Sequence, residues 1–470
     1  MKSVGIRALA VFGALLAPVL CFGQTTLSFP RVMLPQDFTT TGFAIVNPGS
    51  TSADVKYTLY GEDGSQPTTT KTIPKGGQLA LLASELFPTA TSAGWIQATG
   101  TVSGLQGFWF GGDFLTYADG AEAATSSTEL VLPLINPLSE LNIANTGTAD
   151  VTVRLNILGT DGFDLAEPFP QRITAKGFFK ANLSSLFPSL DIPDWNMANH
   201  MRVTCACSSG TAFAATVIAN NYLAGNAGAS WAVANGVPAA KTTTELYFPF
   251  VVEGPQGTAS WRSIVGLTNL STTASNNVTL TFTPQTGGQG MTRNMPLPPN
   301  GGLHFSARDL FALTNGFQTG WVRVTSTNGI PLTGYVAYAE LTAAGVAVVP
   351  PQESAQAKLI FEHIADLAPL ATGMALLNAG ANPANIDVLA YTPNGTLIGA
   401  ANFSLPAGNS TSKLLRELIP QTQTRTSDGG FVFVQSSVPI MGIELFFSRD
   451  SRYFGNVPAG PGNTFVPPAR

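Results

Sequence analysis

Apolar and polar residues alternate position by position through most of the chain beyond residue 23, and the alternation restarts four times. Asp54-Val-Lys-Tyr-Thr-Leu-Tyr60 and Val151-Thr-Val-Arg-Leu-Asn-Ile157 are two examples. A period of two puts every second side chain on one face, so these segments predict half-buried strands. Each restart follows the same order. An apolar opening comes first: Leu27-Ser-Phe-Pro30, Leu130-Val-Leu-Pro133, Leu246-Tyr-Phe-Pro249 and Leu359-Ile-Phe-Glu362. A second apolar strand then ends in Asn47, Asn145, Asn269 or Asn378, a residue that tolerates turn geometry and can bond its own main chain. The alternating strands run into the hairpin signals Glu62-Asp63-Gly64, Thr160-Asp161-Gly162, Gly287-Gly288 and Pro393-Asn394-Gly395. A Gly-led segment follows, ending in Leu86-Phe87, Leu186-Phe187, Leu310-Phe311 or Leu418-Ile419, and predicts a strand that drops into one helical turn.

Repetition on this scale predicts four compact units, each with its own core. Seven short strands per unit and almost no helical periodicity point to four tandem immunoglobulin- or fibronectin-like β-sandwiches, an all-β fold. The units are assigned to residues 24–127, 128–243, 244–357 and 358–470, after a signal segment at 1–23. The stretches Thr116–Ser127, Ala224–Thr243 and Thr342–Ala357, with a tail from Ser448, are rich in small residues and read as linkers.

The penultimate strands can be stacked residue by residue. Ile96 and Ala98, Met201 and Val203, Val322 and Val324, and Val432 and Val434 share the core face. The opposite face carries a ring in every unit, at Trp95, His200, Trp321 and Phe431, with Arg323 two residues beyond Trp321. Packing against a neighbouring domain or a folded-back linker is the favoured expectation, since large apolar patches are seldom left bare. An open contact surface is the alternative. Trp195 and Trp231 are read as loop residues beside Asp194, Asn196, Asn226 and Asn235, where they pad a domain junction or form a sugar-binding platform.

Lys2 and Arg7 precede an uncharged run from Ala8 to Phe22, with Cys21 and Gly23 before Gln24, which predicts a cleaved secretory signal. Cleavage removes Lys2 and Arg7 from the 23 basic residues, leaving 21 against 28 acidic ones, a net charge of −7. That balance disfavours nucleic acid as a partner. No later run is apolar and long enough to predict a membrane span. Charged residues are only 11% of the chain, against about 25% in an average domain, so Thr, Ser, Asn, Gln and Gly carry the surface polarity. Cys205 and Cys207 lie on one strand face; buried free thiols are the expectation, with a Cys-x-Cys disulfide or a metal site as alternatives.

The segments Thr41-Gly-Phe-Ala-Ile-Val-Asn-Pro-Gly-Ser-Thr51, Leu59-Tyr-Gly-Glu-Asp-Gly64 and Ser84-Glu-Leu-Phe-Pro88 resemble tandem β-sandwich repeats of proteins secreted by environmental bacteria. The resemblance implies the fold and export, and brings no catalytic residue with it. Glu362 in place of the opening Pro, and His200 in place of the aromatic ring, depart from the pattern. The three histidines, His200, His304 and His363, fall in three units at non-equivalent places, and no zinc helix, nucleophile elbow, phosphate loop or dinucleotide pattern is present. A calcium site at Glu62, Asp63 and Asp161 lacks the full acidic spacing. The expectation is a non-enzymatic exported protein without cofactor or metal, at the cell surface, in the periplasm or outside the cell. It would act as spacer, matrix or adhesive element toward extracellular polysaccharide or other surface proteins. A carbohydrate-binding array using Trp195, Trp231, Trp95, Trp321 and Arg323 is the alternative, and a secreted hydrolase a distant third.

Overall fold

The computed structural model describes residues 23–206, 211–222 and 230–467; the signal segment up to residue 22 and Cys207 lie outside them. The chain is all-β, with only short helical turns. In the first domain the strands are β1 (Thr25–Met33), β2 (Thr41–Asn47), β3 (Ala53–Gly61), β4 (Thr68–Ile73), β5 (Gly77–Leu82), β6 (Gly94–Gly100), β7 (Gln106–Gly112) and β8 (Ala118–Glu122). They form two four-stranded antiparallel sheets, β1-β6-β3-β4 and β5-β2-β7-β8. The pairs β2–β5 and β3–β6 keep the connectivity of an immunoglobulin core, while the flanking β1 and β7 each lie in the sheet opposite to the usual one. The other three domains repeat this pairing. In the third, the Glu245–Gln256 and Ala259–Asn269 hairpin joins the two sheets; in the fourth, one strand, Phe431–Ser448, runs through both.

Alternation explains the packing. Val55, Tyr57 and Leu59 of β3 are buried, whereas Asp54, Lys56 and Thr58 face outward. The expected helical turns are present at Ala83–Leu86, Leu183–Leu186, Ala307–Phe311 and Leu415–Leu418, and Phe87, Phe187, Phe311 and Ile419 beside them close the ends of the sandwiches.

Two expectations are corrected here. The small-residue stretches are not linkers: they hold β8 and its counterparts Trp231–Asn235, Val346–Val349 and Phe454–Val457, an eighth strand in each domain. Small side chains signal close approach of backbones in this place rather than freedom. Cys205 is disulfide-bonded, so it is not the free thiol expected.

The sandwiches do not form a string. Ile218 and Val233 of the second domain join the core of the first around Phe29 and Trp109. Tyr335, Ala337 and Ala339 of the third join the core of the second, and Ala375 and Ile443 of the fourth join that of the third. Phe108 and Phe110 of the first domain complete the core of the fourth around Phe361 and Ile386. The same head-to-tail contact is therefore used four times and closes on itself, as a heterologous contact does when its rotation completes a circle.

Candidate functional site at the domain seams and the hub

Each seam is built around one turn. The buried amides of Asn47, Asn145, Asn269 and Asn378 donate to main-chain carbonyls of the turns that start at Pro74, Thr174, Pro298 and Pro406, at 2.8–3.3 Å. Their side-chain oxygens accept the N–H of Gly49, Gly147, Ser271 and Gly380. The recurrent Asn is thus the turn device the sequence indicated. Within the turns Gly76, Lys176, Asn300 and Gly408 all have positive φ, between 55° and 72°, so each turn projects its carbonyl edge in the same direction.

The recurrent rings meet those turns. Trp95 is fully buried, stacks on Tyr60 and donates its indole N–H to Lys176 O of the second domain at 2.9 Å. Trp321 stacks on Tyr247 and donates to Gly408 O of the fourth domain at 3.0 Å. In the second domain His200 is fully buried, and its partner on the same face, Arg202, reaches Asn300 Oδ1 and Leu270 O of the third domain. Phe431 is buried with Tyr391 and Phe465, and the Phe465 ring lies against Gly76 of the first domain. Trp95 and Trp321 therefore meet the next domain directly and Phe431 meets it through Phe465, whereas beside His200 the contacts to the next domain are made by Arg202. Burial pushes the imidazole of His200 down to about 3, with the Arg202 charge adding to the shift.

The other candidates are also internal. Trp195 lies on a short helix, Ile192–Met197, not in a loop, and is only 9% exposed in the second core. Trp231 opens a strand, half-buried between Tyr117 and the guanidinium of Arg31. The two tryptophans do not share a surface, which corrects the expectation of a loop platform. Arg323 is half exposed, lies over Tyr247 rather than Trp321, and pairs with Glu245. Asp63 and Asp161 accept the N–H of Ser65 and Phe163, serving as turn caps.

At the centre of the ring β8, Trp231–Asn235, Val346–Val349 and Phe454–Val457 touch in a closed cycle. Asp119 sits there, fully buried, and its carboxyl accepts N–H groups of Gly120, Val233, Val348 and Asn456, one from each domain. Burial pushes this carboxyl well above the usual range, and the four N–H groups pull the other way. The equivalent positions are Ala232, Ala347 and Gly455, so of the four only Asp119 carries a polar side chain. A Cβ at Gly455 would stand 2.2 Å from the Phe110 ring, which is why glycine is needed there. Sequence reasoning missed Asp119, whose signal is a lone carboxylate in a run of small residues.

Two further features mark the fourth domain and its seam with the first. Glu444 occupies the core position of Trp109, Val217 and Val336, and neither carboxyl oxygen has a hydrogen-bond partner. Burial raises it well above the ordinary range, with Glu362 and Asp366 adding to the effect. Burial also pushes Glu362, at the place of the opening Pro, up to about 8. At the seam with the first domain a cavity of about 250 Å³ is lined by Phe108, Phe110, Phe446, His363, Ala44 and Leu370. Among the described residues no group of three or more His, Cys, Asp or Glu is placed to hold a metal ion, and no helix is long and apolar enough to cross a membrane. Compared with known proteins, the chain matches no family model and no curated sequence.

Proposed function

We propose that the protein is a non-enzymatic, exported structural element: a closed four-domain disc that holds a fixed spacing and presents polar strand edges and loops to other surface components. The observation that carries this reading is the use of the outer face of the penultimate strand, and of one central carboxyl, to lock domains to one another. A string of sandwiches with free linkers would serve reach; a ring with a buried hub serves shape. Export is supported by the Lys2–Gly23 segment and by the Thr-rich exterior of edge strands such as β4.

The test is to produce the full chain in a secreting bacterial host, sequence the N-terminus of the product and score attachment of cells with and without the gene. We expect cleavage before Gln24, recovery outside the cytoplasm and weaker attachment or matrix cohesion without the gene. An uncleaved cytoplasmic product, or turnover of a polysaccharide by the purified chain, would overturn the reading.

A further inference from the structure

We propose that the seam between the fourth and first domains binds a small, uncharged aromatic molecule that carries a hydrogen-bond acceptor. The four seams use equivalent positions but place different side chains at them. The residue after the opening strand's Pro is Arg31, Leu134 or Phe250; facing it across the seam, the second, third and fourth domains bring Glu140, Ile264 and Gly373. At the closing seam these positions hold His363 and Gly42. A Cβ added to Gly42 would make ordinary van der Waals contacts, with Leu81 O at 3.7 Å and Leu82 Cδ2 at 3.8 Å, so a side chain fits there without a clash. Both residues line the 250 Å³ cavity, walled by Phe108, Phe110 and Phe446. An apolar cavity of about 150 Å³ is enough for benzene, which leaves room for a ring with one small substituent. Aromatic walls favour a planar guest through edge and offset-stacked contacts.

One polar group in the cavity has a defined role. Gln78 is fixed by the Gly430 N–H donating to its Oε1 at 2.9 Å and by its own Nε2 donating to Glu362 O at 2.7 Å. That same Nε2 faces His363 Nδ1 at 3.2 Å. Nδ1 must then be the acceptor, and the ring proton resides on Nε2. Burial holds the imidazole down at about 4, so it is neutral. The ring is set between Phe108 and Phe446, 5.9 Å from each, and Nε2 has no hydrogen-bond partner among the described residues. It is a lone donor in an apolar slot, the usual composition of a small-molecule site.

Charge narrows the guest. The carboxylates at the edge, Glu85 and Asp428, disfavour an anion. Both are also engaged, Glu85 by Leu82 N–H and Asp428 by the N–H groups of Asp366 and Leu367 and by Arg425, so neither is free to receive a cation. Two exposed apolar side chains also line the cavity, Leu82 and Phe114, at 37% and 36% exposure. Phe114 is held there at φ 56° by Asp113, which accepts three consecutive N–H groups behind it.

The experiment follows the imidazole nitrogens of the ¹⁵N-histidine-labelled mature chain by NMR while acetophenone is added; with three histidines the signals separate. We expect a saturable change at His363 Nε2, and binding of toluene, which lacks the acceptor, about tenfold weaker, the worth of one hydrogen bond. Gly42→Ile places in the cavity the side chain that the third domain carries as Ile264 and should abolish the change while leaving the melting temperature and circular dichroism as in the parent. No saturable change at His363, a change confined to His200 or His304, or undiminished binding by folded Gly42→Ile would overturn the proposal. Equal binding of toluene would overturn the role of the donor.

Discussion

The first–second seam and the fourth–first seam share one backbone plan and are closed in opposite ways. At the first, Arg31 is buried to 4% exposure, pairs with Asp37 and Glu140, and lies beneath the rings of Trp109 and Trp231. At the last, the equivalent His363 is neutral, half-buried and faces a cavity. The difference shows that docking is carried by parts common to all copies, namely the Asn-clamped turn, the penultimate-strand face and the hub, so single side chains are left to fill a seam or keep it open.

If the hub is common to all seams, removing it should cost more than changing any one of them. Asp119→Ala strands four buried N–H groups, each worth about 1–3 kcal/mol when left unpaired. We expect a loss of roughly 4–8 kcal/mol in urea unfolding, with the domains no longer melting together. Next in size is the contrast between the seams. Arg31→Ala should cost roughly 2–4 kcal/mol, below the range for a fully buried pair because Asp37 and Glu140 keep some access to water. His363→Ala should cost about 1 kcal/mol or less. Equal losses at the two positions would contradict the distinction drawn here.

The fourth domain sharpens the comparison from the other side. Glu444→Val, which installs the residue of Val217 and Val336, should raise stability by about 1–3 kcal/mol, since it removes a buried carboxyl with no partner. The smallest effect is on pH dependence. Glu362 and Glu253 are raised by burial to about 8 and about 7, and Glu444 is raised as well. Carboxyls that bind protons more tightly in the folded state stabilise it fully below their unfolded value of about 4.5 and lose that contribution as pH rises through the folded value. The melting temperature should fall by a few degrees between about pH 5 and 9, and Glu444→Val should flatten that slope. A melting temperature that rises over this interval would show that these groups are ionised in the fold.

What the sequence disclosed was whatever all four copies repeat. The Asn clamps, the hairpin glycines at 64, 162, 287 and 395, the Leu-Phe turns and the buried parity of the penultimate strand were legible because each was stated four times. The hub strands were not, since Ala118-Asp-Gly-Ala121 and its counterparts look like linkers when their packing partners are other domains. Asp119 and His363 escaped because each occurs in one copy, and repetition cannot point to an exception. Glu444 was within reach: stacking the final strands as the penultimate ones were stacked would have set it against Trp109, Val217 and Val336. The helix that carries Trp195 is spelled by Asp191, Pro193 and Asp194, with Asp191 accepting the Asp194 N–H at 3.1 Å, a start signal that outweighs the polar, loop-like composition around it.

Closure of the ring is the claim on which the rest depends, and small-angle X-ray scattering of the mature chain tests it most directly. A single compact body of this length has a radius of gyration of roughly 22–25 Å, with one maximum in the distance distribution, and that is the expected result. A radius of roughly twice that value, with a long-tailed distribution, would mean four sandwiches on a string and would contradict the closed ring.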